Sequence, residues 1–237
     1  MHEWPLLLFT ILLQTAAGGF AALCLMGKPD DKTKESLVLS AVAIAAVGCS
    51  LAHLGDMAGA YRALSNVASS WLSREVWLAG GFVACAVLAC VRACGGRAGL
   101  LFFLAACLGL LAVYASSAVY ATTAIDKWAQ GRPALAFFAS TFLLGPALLP
   151  LIRSCSPKEL RVIALLIGLG VVFLLASIGF STAEPGMAFV RCLLSAVGIL
   201  LAFFIFIRQG RLRLAASLSL LCLLAGEALG RYSFFME

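Results

Sequence analysis

The sequence predicts an all-α integral membrane protein: one domain over residues 1–237, folded as a bundle of eight transmembrane helices with both termini on the outer, periplasmic side. Three observations predict it. Apolar residues make up 63% of the chain and charged residues only 12%, against about 45–50% and about 25% in soluble domains. A chain this apolar cannot cover its surface with polar groups, so its solvent is largely lipid. The apolar residues also come in unbroken runs, such as 162–177 and 193–207. Strands of a membrane barrel would alternate apolar and polar residues instead, so the backbone satisfies its hydrogen bonds as helices. Finally, Lys and Arg collect in alternate loops.

Charged and turn-rich breaks place the spans at 5–26, 36–55, 74–93, 98–120, 134–152, 159–180, 187–208 and 212–230. Each is near the ~20 residues that cross a hydrocarbon core. The loops after odd-numbered spans hold Lys28, Lys32, Lys34, Arg92, Arg97, Arg153, Lys158, Arg161, Arg208, Arg211 and Arg213. These are 11 of the 17 basic residues. Cytoplasmic loops carry the basic excess, which puts both ends outside. The net charge of +6 follows from this bias and from attraction to anionic lipid, with no need of nucleic acid.

The opening Met1-His2-Glu3-Trp4-Pro5 carries an acid and no basic residue, unlike a secretory leader, so the first span is expected to stay as a helix. Nine cysteines suggest a metal site until they are placed. Cys24, Cys49, Cys85, Cys90, Cys107, Cys192 and Cys222 fall inside apolar runs, and no CxxC pair occurs. They read as small buried hydrophobes. Of two histidines, His2 sits at the terminus, which argues against a bis-His haem. Gly18, Gly19, Gly80, Gly81, Gly168 and Gly170 read as helix-packing positions.

The polar residues suited to proton chemistry gather in one stretch. It runs from Ser50 through His53, Asp56, Tyr61, Arg62, Ser65 and Asn66 to Ser70, Trp71, Ser73, Arg74 and Glu75. It links the second and third predicted spans at the outer surface. Taken singly, each residue has a structural explanation. Ser73 suits an N-cap, and Glu75 then suits the first helical turn. Arg74 suits snorkelling, Trp71 the interfacial belt, and His53 a hydrogen-bonded packing role. Together they offer a base, an acid, a fixed cation and an aromatic at one interface. Such a set matches quinol oxidation, in which a His and a carboxylate take the hydroxyl protons while the tail lies between helices. The electrons would then pass to a partner on the outer face. Glu227 and Arg231, four residues apart, read as a structural ion pair.

His2–Leu6, His53-Leu54-Gly55, Arg62-Ala63-Leu64 with Asn66, Ser70–Glu75, and Gly230-Arg231 before Phe234-Phe235 resemble the membrane anchor subunit of dimethyl sulfoxide reductase. The resemblance covers the whole chain, and its specific part is the His53 and Glu75 blocks. It implies an anchor that binds and oxidises menaquinol and carries no haem. Electrons would go to a four-cluster iron–sulfur subunit and on to a molybdopterin catalytic subunit, for anaerobic respiration with dimethyl sulfoxide or a similar acceptor. It also implies the bacterial inner membrane, with the partners on the periplasmic face. The family's quinol-site histidine and glutamate match His53 and Glu75, with Asp56, Arg62, Trp71, Ser73 and Arg74 around them. Other members often have a proline after the His-Leu-Gly block, where this chain has Asp56-Met57. A small transporter or channel is the competing reading, but it calls for charges at the bilayer midplane, and here they collect at the interfaces. A membrane hydrolase ranks last, since no second intramembrane histidine exists to activate a serine.

Overall fold

The computed structural model describes residues 4–27, 32–53, 60–93, 98–122, 132–178, 185–208 and 213–236. The elements among them are helices: α1 (Trp4–Leu25), α2 (Thr33–His53), α3 (Ala60–Ser65), α4 (Trp71–Ala93), α5 (Gly99–Ala121), α6 (Arg132–Ile152), α7 (Pro157–Ile178), α8 (Pro185–Ile207) and α9 (Arg213–Met236). All but α3 are long and apolar enough to cross a bilayer, which makes eight candidate spans. The short α3 lies within a stretch that the sequence presented as a loop. The last helix runs to Met236 instead of stopping near 230. Gly230-Arg231 looked like a helix end, but Arg231 is buried and bonded inside the bundle, so the helix has no reason to end there.

α1 is the central post. Most of its length is buried, and α2, α5 and α6 pack around it. Its second half reads Ala16-Ala17-Gly18-Gly19, and small residues let neighbouring backbones come close. A Cβ on Gly18 would run into the Thr141 carbonyl of α6, and one on Gly145 would meet the backbone of Gly18 and Gly19. Phe20 fills the space beside this contact, with its ring 5.7 Å from Phe82 and 6.0 Å from Phe102. Gly170 is likewise crowded by Leu143. Gly80 and Gly168 are not packing contacts, since nothing lies within 4 Å of a Cβ at either.

The end of the bundle where α1 meets α2 is tied by charge. Lys32 is buried, and its ammonium donates to the carbonyls of Leu23 and Gly27 at 2.7 Å each, closing the C-terminus of α1. Burial pulls that ammonium below the usual lysine range. Nearby, Arg153 pairs with Glu35 at 3.3 Å and with Glu159 at 3.4 Å. Ser156 and Glu159 form a reciprocal capping box at the start of α7: the Ser156 N–H reaches Glu159 at 2.7 Å and the Glu159 N–H reaches Ser156 at 3.4 Å. Cys155 sits here, with burial pushing its thiol up to about 11, which keeps it an unreactive thiol.

α8 and α9 form a hairpin that joins the rest through α9 against α6; α7 and α8 barely touch. An apolar groove of about 300 Å³ opens between them, lined by residues such as Ile163, Val171 and Phe203.

The α1–α6 contact yields a prediction. Gly145→Val should push the two helices apart and lower the stability of the detergent-purified protein by ~1–3 kcal/mol, as overpacking does. Gly48→Ala, at a position open on all sides, should leave the thermal midpoint unchanged or slightly raised. Thermal unfolding of both variants checks this.

Candidate functional site

The start of α4 is built by Ser70, not Ser73. The Ser73 N–H reaches the Ser70 hydroxyl at 3.4 Å and the Arg74 N–H reaches the Ser70 carbonyl at 3.2 Å, so Ser70 is the N-cap. Glu75 therefore lies one turn further in than a first-turn acid, about 6 Å along the helix from Trp71 at 1.5 Å per residue. It is only 7% exposed. Its carboxylate reaches across to α5, where the Ser116 hydroxyl donates to Oε1.

Glu75 opens onto a cleft of about 560 Å³ between α1, α2, α3 and α4. Phe9 closes it from α1, Val47, Ser50 and Leu51 from α2, and Ala63 and Leu64 from α3. Along α4 it runs from Leu72 through Trp77, Gly80 and Gly81 to Ala84. The two glycines are wall, which explains the free space at Gly80. Among the described lining residues, Glu75 alone is charged. The volume suits a drug-sized apolar ligand, and one acid in an otherwise apolar wall can orient it by a single hydrogen bond.

Two neighbours of Glu75 hold the wall up. Arg74 spends its donors on the segment before α4: Nε on the Val67 carbonyl at 2.9 Å and Nη2 on the Ala68 carbonyl at 2.6 Å. Its guanidinium lies 4.4 Å over the Trp71 ring, which meets Tyr114 edge-on at 5.8 Å. The indole N–H of Trp77 donates to the Leu64 carbonyl at 3.0 Å. Arg74 and Trp77 thus pin α3 and its following turn against α4. Trp71, Ser73 and Arg74 do not line the cleft. α2 ends at His53 and α3 contains Arg62, but the side chains of both, and Asp56 altogether, fall outside the described residues.

A comparison with known proteins joins this geometry to a family. Residues 1–183 match the DMSO reductase anchor subunit (DmsC) family. The chain belongs to that family. The match takes in α1 to α7 and every residue of the cleft. Similar curated proteins extend it to the α8–α9 hairpin. The YnfH subunit of an anaerobic dimethyl sulfoxide reductase of Escherichia coli is 28% identical, covering 99% of this chain and 94% of that protein. The C subunit of the anaerobic dimethyl sulfoxide reductase of the same organism is 26% identical over the same shares. Its Haemophilus influenzae namesake is 27% identical over 61% of this chain and 56% of its own length. With eight apolar helices and these anchor-subunit relatives, the chain is a multi-pass membrane protein.

This DmsC-family protein also buries a second polar cluster, of which the sequence showed only a part. Glu227 does not pair with Arg231. Its ion pair is with Arg191 of α8, at 3.5 Å, and it accepts from the Ser140 hydroxyl of α6. Arg231 donates instead to Gln14 of α1 at 2.8 Å, to Ser140 at 2.9 Å and to the Ala136 carbonyl at 3.3 Å, stacked 3.9 Å over Phe137. Gly230 makes the room, since a Cβ there would press on the Arg191 guanidinium. Glu227 and Arg231 are 1% and 2% exposed. Helix spacing pointed to Arg231 as the partner, but four helices converge here and tertiary geometry decides. The sequence reading missed Ser116, Ser140, Gln14 and Arg191. A polar residue in the middle of an apolar run was the available signal for each.

Removing the shared acid should be costly. Glu227→Gln leaves the buried Arg231 and the half-buried Arg191 without a counter-charge and is expected to destabilise the bundle by about 3–5 kcal/mol. Adding Arg191→Met should recover part of that loss. Denaturation of the single and double variants in one detergent measures both effects.

Proposed function

We propose that this protein is the membrane anchor of a dimethyl-sulfoxide-reductase-type complex in the bacterial cytoplasmic membrane, and that it binds and oxidises menaquinol in the cleft beside α4. The observation that carries the reading is Glu75, a carboxylate held out of water in the wall of an apolar cleft between helices. A quinol is a flat apolar ring with a hydroxyl at each end and a hydrocarbon tail. Such a ligand offers one hydroxyl to an acid, buries its ring, and leaves its tail among helices. The family assignment and relatives named as subunits of dimethyl sulfoxide reductase support the same reading.

Oxidation of the quinol releases two protons and two electrons. Glu75 accepts one hydroxyl proton. His53, three residues after the cleft-lining Ser50 in a helical stretch, takes the other. Asp56 and Arg62 add an acid and a cation to the quinol-binding set, while Trp71 and Arg74 keep the α3–α4 wall in shape. The electrons leave to a four-cluster iron–sulfur subunit docked on the outer face and then to a molybdopterin catalytic subunit. The iron–sulfur clusters and the molybdenum cofactor belong to those partners. The basic excess in the loops after odd-numbered spans supports periplasmic termini and a cleft near the periplasmic surface.

Two experiments test this reading. In membranes carrying the assembled complex, His53→Ala or Glu75→Gln should lower menaquinol-linked reduction by on the order of a hundredfold, as loss of a general base does. Assembly and reduction driven by an artificial one-electron donor should persist, and full quinol-linked activity in both variants overturns the assignment. Alkaline phosphatase fused after residue 66 should be active and after residue 30 inactive; the reverse pattern overturns the sidedness.

A further inference from the structure

Several buried serines and threonines in these helices satisfy their hydroxyls locally. Thr15 donates to the Ile11 carbonyl at 2.8 Å, Thr141 to that of Phe137 at 2.8 Å, and Ser177 to that of Leu174 at 2.7 Å. This is the ordinary solution for a hydroxyl inside a helix in lipid. On α5, Ser117 follows it, reaching the Tyr114 carbonyl at 2.7 Å. Its neighbour Ser116 does not. Ser116 is 1% exposed and donates across the helix interface to Glu75.

The direction of that bond matters. A hydroxyl has one proton to give, and here it goes to Oε1 of the carboxylate. Oε2 has no partner among the described residues, so it is the oxygen left for a molecule in the cleft. The bond also selects one rotamer of a side chain that would otherwise swing along the cleft wall.

We infer that Ser116 is a positioning residue for the proton-accepting carboxylate: it anchors Oε1 of Glu75 and thereby aims Oε2 at the quinol hydroxyl. The inference rests on the reading of the cleft as a quinol site. Ser116 touches no substrate. Its contribution is to hold the acceptor within hydrogen-bond reach of the proton it removes, and catalysis is steep in that geometry.

The test uses the whole complex in its membrane, with a reduced naphthoquinone as electron donor. Ser116→Ala should lower kcat by about tenfold to a hundredfold, the range for losing a hydrogen bond to a charged group, with KM changed little. Ser117→Ala should leave both unchanged. Ser116→Thr keeps the hydroxyl and should retain activity, while Ser116→Val, of the same shape without it, should lose activity. That pair decides the matter if the alanine variant fails to assemble. The redox-difference infrared band that disappears in Glu75→Gln should shift in Ser116→Ala, which a purely structural role would not cause. Full kcat in assembled Ser116→Ala and Ser116→Val, with Glu75→Gln inactive, overturns the role of Ser116 alone. Full activity in Glu75→Gln overturns the cleft reading itself.

Discussion

In hydrocarbon a polar group has no water to fall back on, and leaving it unpartnered costs several kcal/mol. The interior of this protein follows from that constraint. The backbone meets it by forming helices. The side chains meet it by pairing across helices: Glu75 with Ser116, Arg231 with Gln14 and Ser140, and Glu227 with Arg191. Each pairing works only because the helices are close. The closeness comes from small residues on α1 and α6, where Gly18 and Gly145 leave no room for a Cβ. Packing of the post and satisfaction of the buried polar groups therefore support each other.

The same constraint explains the uneven distribution of polar bonds. At the end where α1 meets α2, Lys32, Glu35, Arg153 and Glu159 close helix termini and turns. These groups are tied to backbone or to opposite charge and are not aimed at a cavity. At the other end, Trp77 holds a carbonyl of α3 and Arg74 holds two carbonyls of the turn that follows it. α3 closes one side of the cleft, so the cleft's shape depends in part on Arg74, a side chain that does not line it. The α8–α9 hairpin lies close to α7 over only a short stretch, and the Arg191–Glu227–Ser140–Arg231 cluster gives it a specific seat on α6 and α1.

What was legible in the sequence divides along the same line. Eight spans were legible because lipid demands an apolar run from each helix regardless of its neighbours. Glu75 stood out because an acid beside such a run is conspicuous. Ser116 was not legible: a serine in an apolar helix usually turns back on its own backbone, and its partner lies 41 residues away. The i,i+4 spacing of Glu227 and Arg231 pointed to a pair within one helix. Their true partners come from α8, α6 and α1, and no local rule reports a junction of four helices. α3 was missed because six residues in a polar stretch carry too little periodicity to distinguish a helix from a loop. Ser73 and Ser70 are both acceptable caps by composition, and only the backbone bonds choose between them.

The two buried acids of the described helices near this end, Glu75 and Glu227, show how chemistry and structure part within one bundle. Glu227 is matched by a guanidinium on α8, accepts from Ser140 and is 1% exposed. Its charge is compensated, and a proton added there would break the ion pair that seats the hairpin. Glu75 is matched by a neutral hydroxyl and borders a space large enough for a ligand. A hydroxyl steadies a carboxylate without cancelling its charge, so Glu75 keeps its capacity to attract a proton. A carboxylate that is held in place, has no ion-pair partner among the described residues and lies beside an apolar cavity suits a base that works on a lipid-soluble substrate. One that is locked in an ion pair does not. That difference supports the proposal of proton chemistry beside α4 and of a structural role for the hairpin cluster.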